Sequence, residues 1–523
     1  MSSSTTYDTG SGPRPAPPVG VPRPAIGLTQ TAARRLRARS LEPARAGLDL
    51  DGTVYVGDTL LVPGLPGLSA DPALAVLSQV AGEYDARLKV LRDDARDAVI
   101  GRLRLTESID QVTATGVEIV AAPGKPLDAW DLLQGARRED PEAMVGVGLS
   151  HVIVPAGQLQ GVGYIQGVGY IQGVGYIQGV GYIQGVGYIQ GVDDNGRAPV
   201  VWSAPSPRPP CEKSDPWGTG PVVALIDTGI GQHPWFTDGV VRDLTVAGVP
   251  VGLRFSPADD PEGSGVTVDK VNQTLDPIAG HGTFIAGVVR QHCPQATLVG
   301  IPIMYGDGAA DEIDLVEALE GLIIHQHLVG AGSTDGRAIE VLSLSLGYYH
   351  EAAADVVSTE SLARVLGGLA ATGVAIVAAA GNAASTVEFY PAALTADPAI
   401  GASVVSVGSA APQEHLVASY SNTGGWVDAY RQGTNVVSTM PVTFAGSLQA
   451  TLETAAGANP ARATPDSDNY RCGFGVWSGT SFAAPVLAAE VASGLAAQAA
   501  GTSTEERIKA IRTVVADLLG SST

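Results

Sequence analysis

Five apolar segments in the C-terminal part of the chain narrow the possible folds. None of them shows the alternation of apolar and polar residues that is typical of a strand with one solvent-facing side. Parallel strands that helices cover on both faces have this uninterrupted pattern, and Ala- and Leu-rich segments of helical character lie between the five. The pattern therefore predicts a doubly wound, parallel-sheet α/β domain over residues 218–523. The apolar segments are residues 222–226, 297–303, 339–346, 374–378 and 404–407.

Residues 49–156 carry a different pattern, which predicts a second, smaller domain. Strand and helix patterns follow one another in the order βαββαβ, which is typical of a ferredoxin-like α+β sandwich. A chain of 523 residues is also too long for one ordinary hydrophobic core. The predicted strands are residues 59–62, 88–91, 99–105 and 147–154, and the predicted helices are residues 71–87 and 127–137.

Two segments outside these domains are predicted to lack a packed core. Residues 1–48 are rich in Ser, Pro, Gly and Arg and should form a disordered tail. Residues 157–217 form a predicted linker, with five identical copies of Gly-Val-Gly-Tyr-Ile-Gln from Gly161 onward and a proline-rich stretch at 202–210. The repeat could be a self-associating β-segment or a tract that expanded in a tolerant linker. Two glycines per copy weaken any strand and favour the second hypothesis.

The charge of the chain argues against two classes of partner. With 31 basic and 53 acidic residues the formal net charge is −22. Nucleic acids and anionic membranes both bind cationic surfaces, so we expect neither as a partner. The three cysteines are too widely spaced to indicate a disulfide framework or a metal site. The first forty residues contain no signal-peptide pattern, and no apolar run reaches the roughly 18 residues of a membrane span. We therefore expect a cytoplasmic protein, with secretion by another route left open.

Three polar residues, far apart in the sequence, together suggest a nucleophilic serine centre. A serine hydroxyl attacks only after a base accepts its proton, and that base needs a partner to orient it. Asp227 follows a buried apolar segment, His281 lies between two glycines, and Ser481 precedes a long Ala-rich segment. Taken singly, a turn-forming aspartate, a structural histidine and a helix-capping serine would explain them. Their presence in one chain instead predicts a catalytic triad.

The segments around these residues resemble the signature segments of the subtilisin-like (subtilase) serine peptidases, over about residues 218–515. They read Val-Val-Ala-Leu-Ile-Asp-Thr-Gly at 222–229, Gly-His-Gly-Thr-Phe-Ile-Ala-Gly at 280–287 and Gly-Thr-Ser-Phe-Ala-Ala-Pro at 479–485. Their order in the chain, Asp then His then Ser, is also that of subtilisin. The resemblance implies a serine endopeptidase in which Ser481 is the nucleophile, His281 the general base and Asp227 its orienting partner.

The same resemblance implies the residues that bind substrate and stabilise charge. The segment Ala-Ala-Ala-Gly-Asn at 378–382 is similar to the family's oxyanion-hole segment, so Asn382 should donate its side-chain amide to the oxyanion. A second segment matches the strand that pairs with an extended polypeptide substrate. Small residues should leave room for a sizeable apolar side chain before the cleaved bond. The residues implied in substrate binding are Ser345, Leu346, Gly347, Ala380 and Gly381.

The βαββαβ unit matches the arrangement of the family's inhibitory propeptides. This implies a zymogen whose own N-terminal domain is an intramolecular inhibitor until it is cut. The chemistry requires no cofactor and no metal. Calcium sites are common in the family, but no ligand set can be assigned here, and the acidic segment 259–262 is expected to be a solvated turn.

Two other functions compete with this hypothesis. Asp227-Thr-Gly is also the signature of an aspartic peptidase, whose mechanism needs two such carboxylates. The other Asp-Thr-Gly of the chain lies at residues 8–10, in the predicted disordered tail, and an aspartic peptidase would leave His281, Asn382 and Ser481 unexplained. The stronger alternative is a catalytically silent protein that keeps the fold for binding or assembly. His325 and His327 do not indicate a metal site, because residues two apart on a helix point to different faces.

Overall fold

A computed structural model describes both predicted domains. It covers residues 26, 28–41, 53–156, 197–200, 204–209, 216–271, 273–332, 336–351, 360–396, 400, 404–413, 416–444, 446, 460, 470–498 and 503–520. The hexapeptide repeat lies outside these residues, so the two hypotheses about it stay as they are.

The N-terminal domain has the predicted ferredoxin-like arrangement. Its four main strands lie in the order β5-β2-β4-β3, and all neighbours are antiparallel. Helices α2 and α5 pack on one face of this sheet around their own apolar cluster. The elements are α1 (Gln30–Arg35), β1 (Ala38–Ser40), β2 (Val54–Pro63), α2 (Asp71–Glu83), β3 (Ala86–Leu91), α3 (Asp94–Leu103), α4 (Thr106–Asp110), β4 (Ala114–Ala121), α5 (Ala129–Glu139) and β5 (Gly148–Pro155).

One predicted strand of this domain was wrong. Residues 99–105 belong mostly to helix α3, and the third main strand is β4, further along the chain. Asp93 begins the helix, because its side chain accepts a hydrogen bond from the backbone N–H of Ala95 at 2.8 Å. Val99 and Ile100 are buried on one side of this helix, which explains why an apolar pair resembled a strand.

The predicted disordered tail also needs correction, because residues 28–41 are folded. Thr29 caps α1 through its side chain, and β1 pairs with β2. Arg35 anchors this segment to the second domain by bonding Asp307 at 2.7 and 3.0 Å. A short segment rich in arginine is thus held by a carboxylate more than 270 residues away, which local composition does not reveal.

The predicted linker 157–217 needs correction as well, because residues 197–199 are packed into the C-terminal domain. Residues 198 and 199 pair with residues 476 and 475, and the fully buried Arg197 donates to the Ala279 carbonyl at 2.6 Å.

The C-terminal domain has the predicted parallel sheet. Seven strands lie in the order β18-β17-β15-β13-β7-β11-β8, and every pairing among them is parallel. The elements are β6 (Ala198–Pro199), β7 (Val222–Asp227), β8 (Val240–Val241), β9 (Thr245–Val246), β10 (Val249–Pro250), α6 (His281–His292), β11 (Thr297–Pro302), β12 (Ala310–Asp311), α7 (Glu312–Gly330), β13 (Val341–Leu344), β14 (Leu346–Tyr349), α8 (Glu360–Ala371), β15 (Ala375–Ala379), β16 (Phe389–Tyr390), β17 (Val404–Ala410), β18 (Ala429–Gln432), β19 (Val436–Thr439), β20 (Phe474–Trp477), α9 (Thr480–Ala497) and α10 (Thr504–Leu519), with short 3₁₀ helices at Pro234–Phe236, Ala392–Ala396 and Tyr470–Cys472.

Helix α9 runs through the centre of this domain. Its length and apolar composition would suit a membrane span, but 72% of it is buried inside the folded chain, as is typical of a core helix. It contacts α6 and strands β13, β15 and β17. The start of α9 is therefore held by the sheet and by α6 together.

The two domains share a packed interface. The N-terminal sheet lies against α7 and α8, and one apolar cluster includes residues of both domains. Polar contacts supplement it: Arg92 donates to the buried Glu320 at 2.9 Å, and the Thr113 hydroxyl donates to the same carboxylate at 2.6 Å. The N-terminal domain therefore packs directly against the C-terminal domain.

Candidate active site

Asp227 and His281 form a buried pair at the carboxyl end of the central strand β7. The His281 ring contacts both carboxylate oxygens through Nδ1, at 2.8 and 2.9 Å. Asp227 also accepts the backbone N–H of Thr228 at 2.8 Å. His281 is the first residue of α6 and follows Gly280, whose φ of +79° favours glycine. The pair can hold an imidazole in one tautomer, with Nε2 facing away from the carboxylate.

Ser481 is the second residue of α9 and lies in the same cleft. Its hydroxyl donates to the carbonyl oxygen of Ser345 at 3.1 Å, and the Ser345 hydroxyl donates back to the Ser481 carbonyl at 2.8 Å. Nε2 of His281 is buried and has no hydrogen-bond partner among the described residues. Ser481 and His281 are therefore not hydrogen-bonded in this arrangement. A rotation of the Ser481 side chain about its Cα–Cβ bond would be needed to turn the hydroxyl from the Ser345 carbonyl towards Nε2 of His281.

Asn382 supplies an amide donor beside the serine. Its Oδ1 accepts from the backbone N–H of Thr480 at 2.9 Å and from the Thr480 hydroxyl at 3.0 Å. These two bonds place the amide oxygen, Oδ1, towards Thr480 and so distinguish it from Nδ2. Nδ2 of Asn382 is buried and has no partner within the described part of the chain. A buried donor without an acceptor is costly unless a ligand oxygen uses it.

The chain's own strand β5 occupies the cleft in front of these groups. It pairs antiparallel with β14, so that Val154 lies opposite Gly347 and Pro155 opposite Leu346. One residue later, the N–H of Ala156 donates to the Ser345 carbonyl at 2.9 Å. The carbonyl oxygen of Ala156 lies 3.3 Å from the hydroxyl oxygen of Thr480, which precedes Ser481 in the sequence. The segment therefore lies along the cleft as an extended polypeptide, with the Ala156 carbonyl beside Thr480.

The five residues expected to bind substrate divide into two groups. Ser345, Leu346 and Gly347 contact the strand β5 directly, and Leu346 begins β14, which leaves the parallel sheet where residues 339–346 were predicted to be one strand. Ala380 and Gly381 lie at the end of β15, immediately before Asn382. Gly381 has a φ of +95°, and a Cβ there would lie 2.6 Å from Nδ2 of Asn422. Glycine is therefore required at this position for both its conformation and its size.

Glu262 is a part of the site that the sequence analysis missed. The acidic segment 259–262 was expected to be a solvated turn, but Glu262 is only 4% exposed. Its carboxyl group contacts the hydroxyls of Thr228 and Thr283 and the N–H of Gly282. Burial raises the pKa of Glu262 to about 8, and the nearby charges of Asp260 and Asp227 act in the same direction. A helical or strand periodicity would not have found it, because it lies in a loop.

Within the described residues, one group of histidines and carboxylates is close enough to share an ion. Ligand atoms of His151, His350 and Glu351 lie within 4.8 Å of one another. Calcium prefers oxygen ligands, and two of these three residues offer nitrogen, so the group does not fit calcium. His325 is held by the carbonyl of Arg337 at 2.9 Å, as expected of a structural histidine.

The comparison with known proteins agrees with the geometry of the cleft. A model of the subtilase peptidase family matches residues 218–519, more than half of the chain. The chain belongs to the subtilase family. Its C-terminal domain has the α/β fold that the apolar segments predicted.

Individual subtilases are only distantly similar to this chain. Serine protease AprX of Bacillus subtilis is 25% identical over 289 residues, which are 52% of this chain and 56% of AprX. Subtilisin BL of Lederbergia lenta is 28% identical over 243 residues, 45% of this chain and 71% of that protein. Among solved structures, fervidolysin of Fervidobacterium pennivorans matches with a TM-score of 0.45 and 17% identity, covering 86% of this chain and 56% of fervidolysin. The matched region thus spans little more than half the length of AprX.

Proposed function

We propose that the chain is a serine endopeptidase that cleaves extended polypeptides through Asp227, His281 and Ser481. The observation that carries the proposal is that the start of α9, with Ser481, lies between the other two elements: the ring of Phe482 is 5.4 Å from that of His281 in the Asp227–His281 pair, and the N–H of Thr480 bonds Asn382. Nδ2 of Asn382 has no partner among the described residues. Membership of the subtilase family and similarity to serine protease AprX support it.

The proposed reaction uses only groups of the chain itself. The Ser481 hydroxyl turns from Ser345 to Nε2 of His281, gives it the proton and attacks the substrate carbonyl. Nδ2 of Asn382 and the backbone N–H of Ser481 donate to the oxyanion. His281 then protonates the leaving amine, and water, activated by the same histidine, releases the acyl group. These groups account for every proton transfer, so the proposed chemistry requires no cofactor.

Labelling of the active serine tests this proposal. A fluorophosphonate probe should label the wild-type chain and leave Ser481→Ala unlabelled. Ser478→Ala, a nearby serine outside the proposed triad, is the matched control and should be labelled like the wild type. Absence of labelling in the wild type, after the N-terminal segment has been cut away, would contradict the proposal.

We propose further that the N-terminal domain is an intramolecular inhibitor, cut off by the enzyme after Ala156. The support is geometric: the Ala156 N–H bonds the Ser345 carbonyl, and its own carbonyl lies beside Thr480. In an antiparallel substrate strand, these positions belong to the residue before the cleaved bond. Ala156 is smaller than the sizeable apolar side chain expected there, so the expectation for other substrates stays a prediction.

The cleavage point can be tested by one backbone change. Ala156→Pro removes the N–H that bonds Ser345 and should keep the chain at full length, whereas Ala156→Ser keeps this N–H and should be cut like the wild type. Ser481→Ala should also stay at full length. Intact mass measurement after storage gives the result. A fragment boundary elsewhere would refute cleavage after Ala156 without affecting the proposed activity.

A catalytically silent binding protein is the second candidate function. The observation in its favour is the Ser481 hydroxyl, which donates to the Ser345 carbonyl, while Nε2 of His281 has no hydrogen-bond partner among the described residues. This protein would never react with the fluorophosphonate, and the wild type would never shorten on storage. The two tests above therefore decide between the candidates.

A further inference from the structure

The cleft extends beyond the residues already described, towards the N-terminal end of β5. Resting on the proposed cleavage after Ala156, the register makes His151 the sixth residue before the cleaved bond. His151 is fully buried. It lies in the strand that occupies the cleft, but its side chain is surrounded by residues of the C-terminal domain.

Both nitrogens of the His151 ring contact carboxylates. Nδ1 lies 2.6 Å from Oε2 of Glu312, and the backbone N–H of His151 donates to the same oxygen at 3.0 Å. Nε2 lies 2.9 Å from Oε2 of Glu351. Two carboxylate partners require a proton on each ring nitrogen, so this arrangement holds an imidazolium.

The flat face of the ring is bound as well. The rings of His151 and Tyr348 are stacked, with centroids 4.1 Å apart and planes 10° from parallel. The Tyr348 hydroxyl donates to Oε1 of Glu312 at 3.2 Å and so holds that carboxylate in place. A planar cation over an aromatic ring, with a carboxylate at each edge, is a favourable arrangement for imidazolium and guanidinium groups.

The charges around the ring favour the same state. Burial alone would lower the pKa of His151, but Glu312 and Glu351 raise it to about 10. Burial would raise the pKa of Glu351, but His350 and His151 lower it to about 2. His350 lies 3.6 Å from Glu351, so Glu351 keeps a partner of its own. Of the two carboxylates, Glu312 therefore depends more on the His151 cation of β5 as its partner of opposite charge.

Glu312, Tyr348 and Glu351 all belong to the C-terminal domain and remain when β5 leaves. Both carboxyl groups are at most 1% exposed while β5 is in place, and both lose the His151 cation when it leaves. Oε1 of Glu351 is buried and has no hydrogen-bond partner among the described residues, even with β5 in place. A substrate that brings a planar cation to this point restores the lost interaction.

We propose that Glu312, Glu351 and Tyr348 form a cation subsite of the substrate cleft, which selects histidine or arginine at the sixth residue before the cleaved bond. The domain's own His151 occupies this subsite before cleavage. Substrate preference would then be set partly at a distance from the triad, by charge, and not only by the side chain before the cleaved bond.

A matched peptide series tests the subsite. The enzyme is expressed as the whole chain and left to process itself before the assay. Each peptide carries Val-Ile-Val-Pro-Ala before the cleaved bond, preceded by His, Arg, Ala or Glu, and kcat/KM is measured at neutral pH with EDTA present. We expect the Arg and His peptides to exceed the Ala peptide by about tenfold or more, and the Glu peptide to be poorest. EDTA and the Arg peptide separate a charge effect from a bridging metal, because arginine is a poor metal ligand.

Variants then locate the preference. Glu312→Gln and Glu351→Gln should bring the Arg and Ala peptides close together while cleavage of the Ala peptide continues. Glu317→Gln, on the same helix α7 but bonded to Arg96, should keep the preference. Equal kcat/KM for all four peptides in the wild type would overturn the subsite but not the peptidase. Loss of the His preference in EDTA, with no Arg preference, would also overturn it. No cleavage of any peptide would instead reject the proposed function, and the subsite with it.

Discussion

Substitution of Glu262 by glutamine should remove a fall in the free energy of unfolding that occurs as pH rises. Glu262 lies behind the proposed triad: the Thr228 hydroxyl contacts both the Glu262 and the Asp227 carboxyl groups. Thr228 has one hydroxyl proton to share between Glu262 and Asp227, and Oε1 of Glu262 also accepts the N–H of Gly282 at 3.2 Å. The carbonyl oxygen of a glutamine amide can accept the same hydrogen bonds, and the amide never ionises.

The size of the effect follows from the pKa of Glu262, which burial raises from 4.5 to about 8. Between these two pH values the folded chain keeps the proton and the unfolded chain has lost it. The unfolded state then binds fewer protons, so the free energy of unfolding falls as pH rises through this interval. The fall is about 1.4 kcal/mol per pH unit and on the order of 5 kcal/mol over the interval. Glu262→Gln lacks this fall.

Urea unfolding of two chains measures the difference. Both carry Ser481→Ala, to prevent self-digestion, and one also carries Glu262→Gln. The free energy of unfolding is compared at pH values from about 5 to about 9. The advantage of the glutamine chain should grow across the interval and level off above about 8. Glu505→Gln, at an exposed position, is the control and should give no such growth. A pH-independent difference for Glu262→Gln would refute the protonated carboxyl.

Three further predictions concern the site and its inhibitor. Asn382→Ala should lower kcat by about 10²–10³ with little change in KM, measured by steady-state kinetics; an unchanged kcat would remove Asn382 from the oxyanion hole. Gly381→Ala should lower the melting temperature, because its Cβ would lie 2.6 Å from Asn422 at a φ of +95°; an unchanged melting temperature would contradict this. The cut N-terminal domain should stay bound at pH 6 and dissociate as pH rises towards about 10. The pKa of His151 is raised in the bound state, so its contribution to binding is complete only below the ordinary pKa of 6.5 and is lost as pH rises through about 10. Gel filtration measures the bound fraction, and release that increased towards low pH would contradict this prediction.

Much of the fold could be predicted because it follows from local patterns. Parallel strands buried on both faces produce apolar runs, and each of the five predicted segments overlaps one strand of the sheet: β7, β11, β13, β15 and β17. The errors arose where tertiary contacts decide. Residues 99–105 contain an apolar pair that suits a strand or a helix, and the Asp93 cap decides for the helix. Residues 28–41 are folded because Arg35 reaches Asp307.

The same division applies to the site. Asp227, His281, Ser481 and Asn382 lie in segments whose residues can be recognised one after another, and the structure brings them to one cleft. Glu262 lies in a loop, and only its burial against Thr228 and Thr283 reveals a role. His151 was predicted as part of a strand, and its two carboxylate partners come from distant parts of the chain. Long-range contacts of single polar residues leave no periodicity in the sequence.

Identification of cleavage products tests the central claim most directly. The wild-type chain, Ser481→Ala and Asn382→Ala are each incubated with an unfolded protein of known sequence, and the peptides are identified by mass spectrometry. We predict internal cleavage by the wild type, strongly reduced cleavage by Asn382→Ala and none by Ser481→Ala. The same products from the wild type and from Ser481→Ala, or no products from a wild type that has shed its N-terminal domain, would contradict a peptidase centred on Ser481.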